Sequence, residues 1–214
     1  MVAVTRAAEV TRILERYLVE VVERHGLCPW ARTSREGGEL AVGVLWGAPD
    51  LDAWVAEAER LLAAPATRVA MVVAPELAIA RAALGAIRDA VAARIPGAGV
   101  AEFHPDAELD LSSPARLVPF LRRSPDPLLQ LVPLARIDAV RTAPPAAGLA
   151  EQATMLGGHA AAPRGELTAQ IAAANHATAA AAHAAITRAL DAIAADRRAA
   201  YARVGITPAS QSRR

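Results

Sequence analysis

Apolar residues recur at three- and four-residue spacing along the first stretch of the chain. Val10, Ile13, Leu14, Tyr17, Leu18, Val21 and Val22 share one face, while Glu15, Arg16, Glu20 and Glu23 occupy the rest. The pattern predicts an amphipathic helix stopped at Gly26. TSREGGEL (33–40) then reads as a loop and LAVGVLW (40–46) as a first strand. A second stripe of Leu51, Trp54, Val55, Ala58, Leu61 and Leu62 follows Asp50, which is placed to cap a helix. TRVAMVVAP (67–75) is apolar without alternation, as a strand buried on both faces requires. PELAIARAALGAIRDAVAARIPG predicts a third helix, closed by Pro96 and Gly97, and VAEFHP (100–105) a third strand. DAELDLSSPARLVPFLRRSPDP reads as an ordered loop holding a short helix, LLQLVPL (128–134) as a fourth strand, and ARIDAVR as the start of another helical turn.

Strands alternating with helices predict an α/β fold: a mixed four-stranded sheet covered by helices. Right-handed crossovers would set strands one to three side by side. Residues 1–142 read as this α/β domain, and 143–165, rich in Pro, Gly and Ala, as a flexible connection. Residues 166–206 carry a long alanine-rich C-terminal helix with a narrow stripe of small residues. Such a stripe suits close packing, either back onto the domain, the favoured reading, or between two copies as a homodimer. His176 and His183, seven residues apart, share a helix face off that stripe and are expected to face solvent.

Composition narrows the function. The chain has 214 residues, 54% of them apolar, and a net charge of +1, so neither disorder nor a nucleic-acid field is indicated. Every basic residue is arginine, which excludes a Schiff-base or phosphate-loop lysine and leaves only planar guanidinium contacts to anions. One cysteine excludes an internal disulfide and a Cys-rich zinc site. The N-terminal stretch carries charges every few residues, and the most apolar run is too short for a bilayer, so a cytoplasmic protein with no membrane segment is expected.

Three short motifs fall at element edges, where chemistry is usually placed. They are GLCPW (26–30), FHP (103–105) and RRSPDP (122–127). If strand four runs antiparallel beside strand three, His104 becomes a neighbour of Arg123 and Ser124, and Cys28 reaches them if the first helix packs along that edge. In this order, GLCPWA, VAEFHPD and RSPDPLLQLVPLARID resemble the bacterial family catalogued as domain of unknown function 1415, with IAADRRAAYARVGI similar to its closing segment. The resemblance covers roughly residues 8–142 and 193–206, which makes the alanine-rich stretch an insertion. It brings no activity with it. Two positions depart from the family pattern: Gln130 stands where members often have His, and Ala107 where they have an aromatic residue. A histidine-rich site in relatives would therefore be reduced here.

Cys28 has three readings: an inert buried hydrophobe, a nucleophile or redox thiol activated by nearby cations, or a soft ligand such as a haem-axial thiolate. Position after a helix C-terminus would raise its pKa. His104, at a strand end, is either a satisfied turn-capping histidine or a general acid/base or ligand. His25 is expected as a helix C-cap and otherwise as a substrate contact. Arg122 and Arg123 are solvated arginines or a bidentate anion clamp with the Ser124 hydroxyl beside it. Asp106, Glu108 and Asp110 alternate after FHP and are expected as solvated acids rather than a metal site. No nucleophile elbow, dinucleotide fingerprint, phosphate loop or zincin motif occurs, and no basic stripe interleaved with aromatics suggests nucleic acid.

The leading expectation is an enzyme acting on a small anionic metabolite. Cys28 would be nucleophile, His104 general acid/base, and Arg122, Arg123, Ser124 and His25 would bind substrate. The alternative is a haem- or metal-binding protein, sensor or enzyme, ligated by Cys28 or His104. A third reading is an interaction protein that pairs through the alanine-rich helix.

Overall fold

Thr5 begins the first helix by accepting the Ala8 N–H on its hydroxyl, as an N-cap residue should. The computed structural model describes residues 5–28, 30–135 and 164–207, with side chains of the last helix from residue 172 onward. Helix α1 runs Arg6–Tyr17 and continues as a π-helical stretch, Leu18–Glu23, with i to i−5 bonds such as Arg24 N–H to the Val19 carbonyl at 3.1 Å. Gly26 ends it at φ +61°, a left-handed conformation that turns Leu27 back into the core.

The segment expected as a loop after Cys28 instead contains a helix, α2 (Ala31–Glu36). It spans six residues and buries only Ser34, so no apolar period marks it in the sequence. Arg35 fastens it, donating to both oxygens of the buried Glu23 carboxylate at 2.7 and 2.9 Å. The remaining elements are β1 (Leu40–Val44), α3 (Leu51–Leu62), β2 (Val69–Val73), α4 (Arg81–Arg94), β3 (Ala98–Phe103), α5 (Pro114–Leu121), β4 (Leu128–Pro133) and α6 (Arg164–Val204). Asp50 caps α3 as expected, accepting the Ala53 N–H at 2.9 Å. PELAIA, assigned above to the third helix, lies outside it, because α4 opens only at Arg81. Of ARIDAVR only Ala135 is described; its other residues and the connection 143–165 lie outside the described residues.

The sheet is mixed and four-stranded, in the order β1-β2-β4-β3. β1 and β2 are parallel, and β4 is antiparallel to both its neighbours, with Phe103 opposite Leu128 and Gln130 between Met71 and Ala101. The expected side-by-side placement of strands one to three is therefore corrected: β4 separates β2 from β3. Burial explains the order. β4 hides Leu128, Leu129 and Leu131 and so has apolar side chains on both faces, whereas β3 carries Glu102 and is only half-buried over most of its length. The strand apolar on both faces takes an interior place and the polar one takes the edge.

Alternation along β2 divides the core in two. Ala70 and Val72 face α3 and α4, packing with Trp54, Val55, Leu61, Leu84 and Val91. Met71 and Val73 face α1, α5 and α6. The described part of α6 belongs to that second core through Ala179, Ile186, Leu190, Ile193, Ala200 and Tyr201, so these residues pack back onto the domain. His176, expected toward solvent, is half-buried, with Nε2 2.9 Å from the Leu111 carbonyl. Gly205, at φ +68°, ends the helix and Ile206 turns into the core. No helix among the described residues is long and apolar enough to cross a membrane.

Candidate functional site

Antiparallel pairing of β3 with β4 brings the FHP and RRSPDP motifs to one sheet edge, as the sequence suggested. Main-chain contacts clasp them: the His104 N–H donates to the Arg122 carbonyl at 3.1 Å, and Arg123 Nε donates to the Pro105 carbonyl at 3.0 Å. Arg123 is thereby a brace between the motifs. Ser124 is buried and gives its hydroxyl proton to the Asp126 carbonyl at 2.5 Å, two residues on.

His104 is 3% exposed, and both ring nitrogens are occupied. Nδ1 accepts the Asp106 N–H at 3.1 Å, which places the proton on Nε2, 2.9 Å from the Ile79 carbonyl. This is a histidine that ties the turn after β3 to the chain leading into α4. While those bonds stand, neither nitrogen is free to take a proton from substrate or to ligate iron.

Cys28 is the third residue expected at this cluster. Among the described residues no hydrogen bond joins it to His104, Arg122, Arg123 or Ser124. It packs half-buried on the α1/α6 core, and burial pushes the thiol above its ordinary range. The backbone N–H groups of Trp30 and Ala31, at the start of α2, pull the other way without winning. The electrostatic reason given by the sequence is thus revised: the thiol lies at the beginning of α2 as well as after the first helix, and desolvation decides. Tyr17 is the residue that senses both regions. It is fully buried, donates to the Leu121 carbonyl at 3.3 Å, and is pushed well up by burial and by Cys28, against the pull of Arg122. At neutral pH Cys28 is expected to react with iodoacetamide more slowly than the same thiol in the urea-unfolded chain; a faster rate would restore the nucleophile. His25 is half-buried beyond the π-helical stretch, and burial followed by Arg24 lowers its pKa. It does not line the cleft described next.

That cleft is partly open, has a cavity volume of about 30 Å³, and lies between β3, α5 and the start of α4. Its polar wall is Arg81, Glu102, His104 and Arg122, and Ala107, Val118 and Pro119 close the apolar side. The space suits about two water-sized groups, so it fits the head of a small ligand rather than a whole cofactor. Arg122 is the one predicted binding residue on this wall, since Arg123 and Ser124 turn inward. Its guanidinium is one-third exposed, 3.8 Å from Glu102 and 6.0 Å above the Phe103 ring. Burial lowers its pKa, Glu102 raises it and Arg88 lowers it again. Glu102 is shared: Arg88 holds it more closely, at 3.0 Å.

Sequence reading missed Arg81 and Glu102. Arg81 is the first residue of α4, where Ala80 supplies no capping side chain, and among the described residues it makes no ion pair. A cation at the positive end of an uncapped helix is electrostatically unfavourable, and it was a usable signal once α4 was begun at the right residue. Also missed was a buried latch behind the cleft. Asp126 receives the Arg197 guanidinium at 2.5 Å and the Tyr201 hydroxyl at 2.6 Å, and Arg197 also donates to the Pro75 carbonyl. Its partners lie 71 and 75 residues away along the chain, beyond any local pattern.

Among the described residues, no three His, Cys, Asp or Glu side chains gather as a metal set. No family model, curated protein or solved structure matches the chain.

Proposed function

We propose that this chain binds a small anionic metabolite in the cleft beside β3, with Arg122 as the clamp. One observation carries the reading: a partly buried guanidinium faces the cleft with its nearest carboxylate at 3.8 Å, and that carboxylate is already bonded to Arg88. A planar fork with donors to spare is a carboxylate or phosphate receptor. Arg81, on the same wall, adds a second guanidinium. The reading is one of recognition, because His104 spends its ring nitrogens on the backbone and the Cys28 thiol is held protonated. Haem ligation by either residue has no support in this arrangement. A cytoplasmic location accords with a single cysteine and no membrane-spanning helix among the described residues.

The test is a titration of the whole protein with acetate, lactate, phosphate and sulfate at constant ionic strength, followed by amide chemical shifts. Saturable shifts around residues 102–107 and 118–122 are expected. Arg122→Ala should weaken the response by about 1.5–3 kcal/mol, the range of a charge-assisted hydrogen bond, or tenfold and more. Equal responses in the wild type and Arg122→Ala would overturn the reading.

A further inference from the structure

The cleft places an acid among its arginines, and that acid has a consequence for selectivity. Among the described residues three charged side chains line it: Arg81 and Arg122 are positive and Glu102 is negative, so this lining carries a net charge of 2 − 1 = +1. His104 enters that count as the uncharged Nε2 tautomer set by its two hydrogen bonds. Arg88 touches Glu102 from outside the lining and is matched by Asp89 at 2.8 Å, while Asp106 lies outside the lining and is exposed. One negative charge therefore balances the wall. A second would stand beside Glu102 with no further cation among the described lining residues to receive it, in a partly open space where screening by water is reduced.

We infer that Glu102 makes the cleft selective for a singly charged head group, and that the ligand is a short aliphatic monocarboxylate rather than a phosphate ester. The shape agrees. A carboxylate matches the Arg122 fork edge to edge, and the apolar side formed by Val118 and Pro119 accepts a chain of a few carbons. Among the described residues no aromatic ring lines the cleft for stacking a nucleobase. Glu102 touches the same space as the anion and is a specificity residue; binding itself belongs to Arg122. This inference rests on the anion-binding reading above.

The experiment uses the full chain and two pairs of probes at constant ionic strength and pH 8, where inorganic phosphate is mainly the dianion: butyrate against phosphate, and methanesulfonate against sulfate. The second pair keeps a tetrahedral sulfur head in both members and changes only the charge. Wild type is expected to bind butyrate and methanesulfonate at least tenfold more tightly than their partners. Glu102→Gln, which keeps the side chain's length and a carbonyl acceptor, should bring each ratio to within about threefold by tightening the doubly charged probe. The wild-type sulfonate–sulfate comparison requires no variant and stands even if Glu102→Gln is unstable. Sulfate or phosphate preferred by wild type, or ratios unmoved in a folded Glu102→Gln, would overturn the selectivity while leaving anion binding intact. Failure of all four probes to bind would overturn both.

Discussion

A chain ending at residue 142 is expected not to fold. The sequence presents residues 1–142 as a domain with an alanine-rich appendage, yet Ile186, Leu190, Ile193 and Ile206 are each 7% exposed or less against Val10, Ile13, Leu14 and Tyr17. Burying an aliphatic side chain contributes about 1.5–3 kcal/mol, so these four supply roughly 6–12 kcal/mol. A whole domain is stable by only about 5–15 kcal/mol. Removal of α6 also uncovers the apolar stripe of α1 beneath it. Far- and near-ultraviolet circular dichroism with urea titration is the measurement, and a shortened chain should show no near-ultraviolet signal and no cooperative transition. A sharp transition with native near-ultraviolet bands would show that α6 is an appendage after all.

Asp126→Ala is expected to cost about 3–5 kcal/mol, the range seen when one member of a buried pair is removed. The loss exceeds that of a surface ion pair because Arg197 and Asp126 side chains are only 13% and 4% exposed. The substitution leaves the Tyr201 hydroxyl without its acceptor and a desolvated guanidinium with only the Pro75 carbonyl in place of its counter-charge. For a protein of this length the melting temperature should fall by roughly 6–20 °C. Tyr201→Phe, which removes one hydroxyl and leaves the ion pair, should cost only about 0.5–1.5 kcal/mol. Thermal melts of both variants check the pair of values. Near-equal costs would show that the tyrosine, and not the ion pair, holds α6 to the chain before β4.

Elements long enough to repeat their pattern were legible. The α1 stripe, the Asp50 cap, the four strands and the α6 helix all follow from periodicity and capping chemistry. α2 was not, because one and a half turns with a single buried residue leave no period to read. The π-helical stretch was hidden for another reason: Leu18, Val21 and Val22 suit an α-helical face equally well, and the extra residue per turn changes hydrogen bonding rather than pattern. The sheet order was within reach, since LLQLV is apolar on both faces and VAEF is not.

For the site, the meeting of His104 with the Arg122–Ser124 loop was legible because it depends on strand pairing. Which arginine faces the cleft was not, because side-chain direction in a loop is set by tertiary contacts such as Arg123 with the Pro105 carbonyl. Ala107 lies in the cleft wall, where a larger side chain would occupy the space left for a ligand.

The order β1-β2-β4-β3 also bears on how the molecule is made. β4, made after β3, fills an interior place in the sheet, so β2 and β3 have no partner between them until Pro133 has been synthesised. α6, which closes one face, arrives later still. A growing chain therefore carries open edges on β2 and β3 between the completion of β3 and that of β4, and a bare apolar surface until α6 follows, the condition in which nascent proteins aggregate or recruit chaperones. Closure of the second core therefore waits for α6, long after the strands it covers have been made.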